Sequence, residues 1–106
     1  MNEMRRRVLR ACIAVAEKAT CFEDMEAVMA DLQSVMDEEE ETRDNTPENL
    51  LSSDRYYDSE AASDLMEQAM ECYEEASELF EEEDRTKIAV LVREANGFLR
   101  GIPKVH

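Results

Sequence analysis

The sequence predicts an all-α protein: an antiparallel hairpin of two long helices with a third, shorter C-terminal helix packed on it. Three observations carry this. Gly and Pro number two each and Trp is absent, while Ala, Glu, Met and Leu are abundant, the composition of helices. Apolar residues at Ala62, Leu65, Ala69, Cys72, Ala76 and Leu79 step alternately by three and four, the spacing of one stripe on an α-helix. The chain has 106 residues and is 43% hydrophobic, enough for one domain with a small core and too apolar for a disordered acidic tail.

The first helix is read as one rod over about residues 2–43. Met4, Val8, Cys12, Val15 and Ala19 form a seam thickened by Leu9, Ile13 and Ala16, and Phe22, Met25, Met29, Leu32 and Met36 continue it with one short step. At 1.5 Å per residue such a rod is about 60 Å long. Thr20-Cys21-Phe22-Glu23 matches a capping box, so a bend or a fresh start at Thr20 is the alternative. Arg5, Arg6, Arg7 and Arg10 stand where cations oppose the helix dipole, which calls for acidic neighbours in space. The run Asp37–Glu41 ends the rod with the opposite misplacement, and its plain reading is a solvated, fraying end.

A turn is expected over residues 44–53. Thr46 and Pro47 suit the start of one short helical turn, Leu50 and Leu51 would cover the end of the core, and Ser52 or Ser53 would cap the next helix. The second long helix is expected over about residues 54–83, antiparallel to the first because the connection is short. Its stripe predicts apolar residues at Glu83 and Thr86, which are polar, so a break is placed there. A fresh stripe at Ile88, Leu91, Val92, Ala95, Phe98 and Leu99 gives a third helix over about residues 85–100, capped by Asp84 and closed by Gly101 and Pro103.

The net charge is −15, and it is unevenly divided. Asp37–Asp84 holds 20 acids against two bases, Arg43 and Arg55, while the remainder holds 7 acids against 10 bases. A comb of Glu60, Asp64, Glu67, Glu71, Glu74, Glu78 and Glu81 runs beside the second helix's stripe, and no Lys or Arg lies between Arg55 and Arg85. Like charges at i,i+4 cost about 0.2–0.5 kcal/mol per pair, so the comb weakens its own helix. Such a charge opposes direct binding to nucleic acid or to anionic lipid and favours a basic partner protein. The two mildly basic ends are expected to pack together, with Arg5–Arg10 near the Glu81–Asp84 corner.

Chemistry is scarce. The sole histidine is His106, at the terminus, so no His-based dyad or His-bearing metal site is available, and no phosphate-cradling or HExxH pattern occurs. Outer-face carboxylates lack the burial that would separate a catalytic pair's pKa values. No enzyme, metal or cofactor is expected. The three cysteines, Cys12, Cys21 and Cys72, form no CxxC and read as free thiols of a cytoplasmic protein. The basic then apolar N-terminus mimics a leader, but Arg10, Glu17 and Lys18 interrupt it, and no run reaches the roughly 18 apolar residues of a membrane span. Tyr56 and Tyr57 cannot share a face; one reading sends Tyr57 into the core and leaves Tyr56 on the surface, the other makes an aromatic anchor among acids. Met25, Met29, Met36, Met66 and Met70 read first as core and second as an adaptable seam.

Pro47, Glu48, Asn49 and Leu50, then Ser53, Asp54, Arg55 and Tyr56 leading into an acidic Ala-rich helix, resemble small acidic helical proteins of phages and mobile elements of Gram-positive bacteria. The likeness spans Pro47–Glu83, about a third of the chain. It implies a mobile-element context, whose small acidic proteins are similar in character to anti-CRISPR proteins that mimic DNA. The expectation is therefore an acidic DNA mimic that binds the basic nucleic-acid groove of a Cas9-type effector. Its contact residues would be Asp37, Glu38, Glu39, Glu40, Glu41, Asp44, Glu48, Asp54, Tyr56, Asp58, Glu60, Asp64 and Glu67. The alternatives are an adaptor that homodimerises through the Met-rich seam into a four-helix bundle, or a protein that sequesters a basic regulator.

Overall fold

The computed structural model describes residues 1–51 and 53–102. The expected roles of Ser52, Pro103 and His106 lie outside the described residues. The described residues form four α-helices: α1 (Glu3–Lys18), α2 (Phe22–Asp44), α3 (Asp54–Leu79) and α4 (Arg85–Arg100), with a 3₁₀ turn at Glu48–Leu50. Each helix packs on its chain neighbours and α1 also meets α4, which closes a four-helix bundle 51 × 19 × 19 Å in extent.

The single rod over 2–43 is not what forms. Ala19 and Cys21 take extended backbone, and α2 turns back along α1. The break is held by partners for both backbone polar groups of Thr20. Asp24 Oδ2 accepts the Thr20 N–H at 3.0 Å, and Arg85 donates to the Thr20 carbonyl at 3.2 Å. The expected capping box of Thr20 and Glu23 does not form: Cys21 is the N-cap, without a side-chain cap bond, and Asp24 rather than Glu23 reaches back to Thr20. The N–H of Thr20 holds the Asp24 carboxyl below its ordinary value. The reversal has a clear driving force. A 60 Å rod would leave its apolar stripe in water, whereas folding it buries Leu9, Cys12 and Ala16 in one core with Met25, Val28, Leu32 and Val35. Removal of apolar surface is favourable by about 25 cal/mol per Å². Burial pushes the Cys12 thiol up to about 11, so at neutral pH it packs as a small apolar group.

The remaining elements lie close to their expected places. Ser53 accepts the Tyr56 N–H at 3.2 Å and caps α3; Asp84 accepts the Lys87 N–H at 3.2 Å and caps α4. α3 stops at Leu79, short of 83, and a run of turns through Phe80 and Glu82 leads to Glu83, whose φ of 56° reverses the chain. The seams are rotated from their expected phase. Met4 and Val15 are exposed, whereas Met66, Met70 and Tyr73 supply the interior of α3. Buried Tyr73 donates its hydroxyl to buried Asn96 Oδ1, joining α3 to α4. Of the expected seam, Met25, Met66 and Met70 are buried in this bundle, with Met29 and Met36 half-buried against it.

Candidate protein-binding face

Charge follows the helices. α2 holds ten acids and one base, and α3 nine acids and one base; α1 holds two acids and five bases, and α4 one acid and four bases. Because α2 packs on α3 and α1 on α4, one side of the bundle is strongly acidic and the opposite side is basic. The expected packing of the basic N-terminal helix against the basic C-terminal one is met in coarse form, as α1 against α4.

The basic start of α1 does not reach the Glu81–Asp84 corner. The reversal at Thr20 sends it to the other end, beside the acidic end of α2. Arg5 donates from Nε to Glu38 at 3.4 Å, from Nη1 to Glu39 at 3.0 Å and from Nη2 to Thr42 Oγ1 at 2.8 Å. Cations at a helix start and anions at a helix end are each misplaced alone; side by side they offset one another. This is why α2 stays helical to Asp44 instead of fraying at Asp37–Glu41.

Glu39 is the exception among the thirteen expected contact residues. It is 1% exposed. Its carboxylate takes Arg5, the Met1 amino group at 3.5 Å and the Ser59 hydroxyl, and Arg43 in turn donates to Ser59 Oγ at 3.0 Å and Ser63 Oγ at 2.6 Å. The network ties α1, α2 and α3 together. Glu39 is thus an interior residue, and its role as a surface contact is withdrawn: a carboxylate with these partners has no solvent-facing oxygen to offer. Nothing local in the sequence separated it from Glu38 or Glu40; only its i+4 relation to buried Val35 hinted at the inward phase.

The other expected residues lie at or near the surface. Asp37, Glu38, Glu40, Glu41, Asp44, Glu48, Asp54, Glu60, Asp64 and Glu67 are all exposed, and Asp58 is half-buried. The Glu39 and Arg43 bonds to Ser59 and Ser63 bring the end of α2 beside the start of α3, so the acids of the two segments share one end of the bundle. The comb continues down α3 through exposed Glu71, Glu74 and Glu78. No ion pair between described residues involves a carboxylate of α3.

The tyrosines exchange roles. Tyr56 is half-buried and Tyr57 is 55% exposed, edge-on to Tyr56 with ring centroids 6.4 Å apart. The inward phase runs Tyr56, Ser59, Met66; buried Ser59 disguised it because a serine reads as a surface residue. Leu50 and Leu51 do not close the core either, being 47% and 41% exposed. The 3₁₀ turn spends its three residues on reversing the chain and leaves these side chains outside. The acidic end of the bundle therefore exposes Leu50 and Leu51, expected to cover the core, and Tyr57, which one of the two readings sent inward.

The described residues bring no three His, Cys, Asp or Glu side chains together as a metal site, and no helix among them is long and apolar enough to cross a membrane. No protein-family model, curated protein or solved structure matches this chain.

Proposed function

We propose that this chain is an inhibitory binding protein whose acidic side occupies the nucleic-acid groove of a basic enzyme, with a Cas9-type effector as the target. The observation that carries the reading is the unneutralised comb of α3. Glu60, Asp64, Glu67, Glu71, Glu74 and Glu78 stand in water with no ion pair to a described residue, while Arg7, Arg10 and Arg100 pair with Glu3 and Glu17 instead. A helix with carboxylates roughly every 5 Å presents a line of negative charge to a phosphate-binding channel. Docking there releases the counterions that a polynucleotide would release, so affinity falls steeply with salt. The exposed tip of Tyr57, Leu50 and Leu51 adds an apolar anchor of the kind that concentrates binding energy.

The test is capture of partners from a Cas9-bearing host at low salt, followed by competition with the target's own nucleic acid. Recovery of a basic nucleic-acid enzyme, displaced by DNA and lost on reversing Glu60, Asp64 and Glu67 to Lys, is the expected result. Recovery of acidic or neutral proteins alone removes the proposal.

A further inference from the structure

The basic side of the bundle contains a groove that the acidic reading does not use. It lies between α1 and α4 and encloses about 340 Å³. Ala16 and Ala19 on one wall and Ala89 on the other keep it open. That volume is at the lower end of small-molecule sites. Three guanidinium groups line it, those of Arg85, Arg93 and Arg100, against one carboxylate, Glu17.

The three arginines are not equivalent. Arg85 is committed, donating to the Thr20 carbonyl and lying over the Phe80 ring at 5.7 Å. Arg100 is paired with Glu17 at 2.6 Å. Arg93 has no hydrogen-bond or ion-pair partner among the described residues. Asn96 also lines the groove, one turn on from Arg93, and is 1% exposed. Its Oδ1 is taken by Tyr73, while its Nδ2 donates to no described residue. No fully buried polar side-chain atom among the described residues lacks a partner, so that nitrogen is not sealed in the core, and the surface Asn96 lines is that of the groove. A buried amide with a free donor, beside a free guanidinium, asks for an acceptor that carries negative charge. Planar N–H forks match carboxylate and phosphate oxygens in pairs, and such charge-assisted bonds are stronger than neutral ones.

We propose that the α1–α4 groove binds a small ligand bearing an oxyanion, carboxylate or phosphate, held by Arg93 and Arg100 over the Asn96 amide. Glu17 is the resident counter-ion: an incoming anion competes with it for Arg100. Acidic α3 lies across the bundle, so this site and the acidic face are separable.

The full chain labelled with ¹⁵N is titrated with inorganic phosphate and, separately, with succinate, against chloride at equal ionic strength. Saturable shifts of the Asn96 side-chain amide and the Arg93 Nε–H are expected, and the stronger of the two anions identifies the ligand's charged group. Arg93→Ala, at an exposed position where folding is safe, is expected to weaken binding about tenfold, the loss of one charged hydrogen bond. Glu17→Gln is expected to strengthen it, and Lys87→Ala, on the same helix outside the groove, to leave it unchanged. Lysine reversal of Glu60, Asp64 and Glu67 leaves it intact even where protein capture is lost. The proposal is overturned if chloride produces the same shifts, or if Lys87→Ala weakens binding as much as Arg93→Ala. It is equally overturned if the shifts grow with protein concentration and move α3 resonances, because the occupant is then the acidic side of a second copy.

Discussion

The end of α2 and the outer face of α3 are both lines of carboxylates, yet they behave as different materials. On α2, Glu38 and Glu39 meet Arg5, and Glu39 disappears into a network with Ser59 and Arg43. On α3, Glu60 through Glu78 remain in water with no ion pair to a described residue. The contrast teaches that acid content alone does not define a display surface. An acid whose helical phase points inward beside a basic helix start becomes mortar between helices. An acid on the far side of the same bundle stays available to a partner.

Removing the mortar gives the largest expected effect. Glu39→Ala leaves Arg5, Arg43 and Ser59 around an empty, desolvated site and is expected to cost about 3–5 kcal/mol, as for one partner of a buried ion pair. Denaturant unfolding followed by circular dichroism measures it, with Glu67→Ala as the α3 counterpart, expected within about 0.5 kcal/mol of the parent. Equal losses at the two positions would erase the distinction drawn between the helices. Arg5→Ala combined with Glu39→Ala should fall well short of additivity in a double-mutant cycle, since both act in one network.

Tyr73→Phe comes next. It strips the hydroxyl from Asn96 Oδ1 in the interior and is expected to cost about 1–3 kcal/mol, the range for orphaning a buried acceptor. The same unfolding measurement serves, and an unchanged midpoint would mean that Asn96 turns to another donor.

Reversal of Glu60, Asp64 and Glu67 to Lys sharpens the comparison from the other side. It turns the Glu67–Glu71 repulsion, worth about 0.2–0.5 kcal/mol, into an attraction but leaves positions 60, 64 and 67 like-charged among themselves, so thermal stability is expected to stay close to the parent's at low salt while capture of the basic partner is lost. A loss of stability would show that these carboxylates have supporting contacts inside the chain.

The smallest effect belongs to Asp24. Its carboxyl is held below the ordinary value of 3.8, chiefly by the Thr20 N–H. A carboxyl depressed in the fold stabilises above its unfolded-state pKa, and that contribution fades as pH falls through the folded value. Asp24→Asn is therefore expected to lower the melting temperature slightly at neutral pH and to narrow its gap from the parent in acid. A gap that widens in acid would contradict the assigned hydrogen bond.

Much of this was legible in the residues. The stripe of Ile88, Val92, Ala95 and Leu99 located α4, and Ser53 and Asp84 announced their caps, because period and capping are local properties of a few neighbouring side chains. The exposure of the α3 comb followed from the same arithmetic. Thr20 was harder. The apolar phase passes through it with one short step, and the capping residue that matters, Asp24, sits one place from the expected position. Ser59, Asn96 and Glu39 were illegible for a shared reason: each is a polar residue whose burial depends on a partner from another helix.

What the sequence determined by itself, then, is helical content, the places where α3 and α4 begin, and a carboxylate row that faces water. Tertiary structure decided the reversal between α1 and α2, the burial of Glu39 and the sorting of charge onto opposite sides of the bundle. The physical reason is distance along the chain. Thr20 needs Arg85 for its carbonyl, and Glu39 needs Arg5 and Ser59 for its oxygens. Such bonds form only once the helices stand side by side, and no local pattern of residues records them.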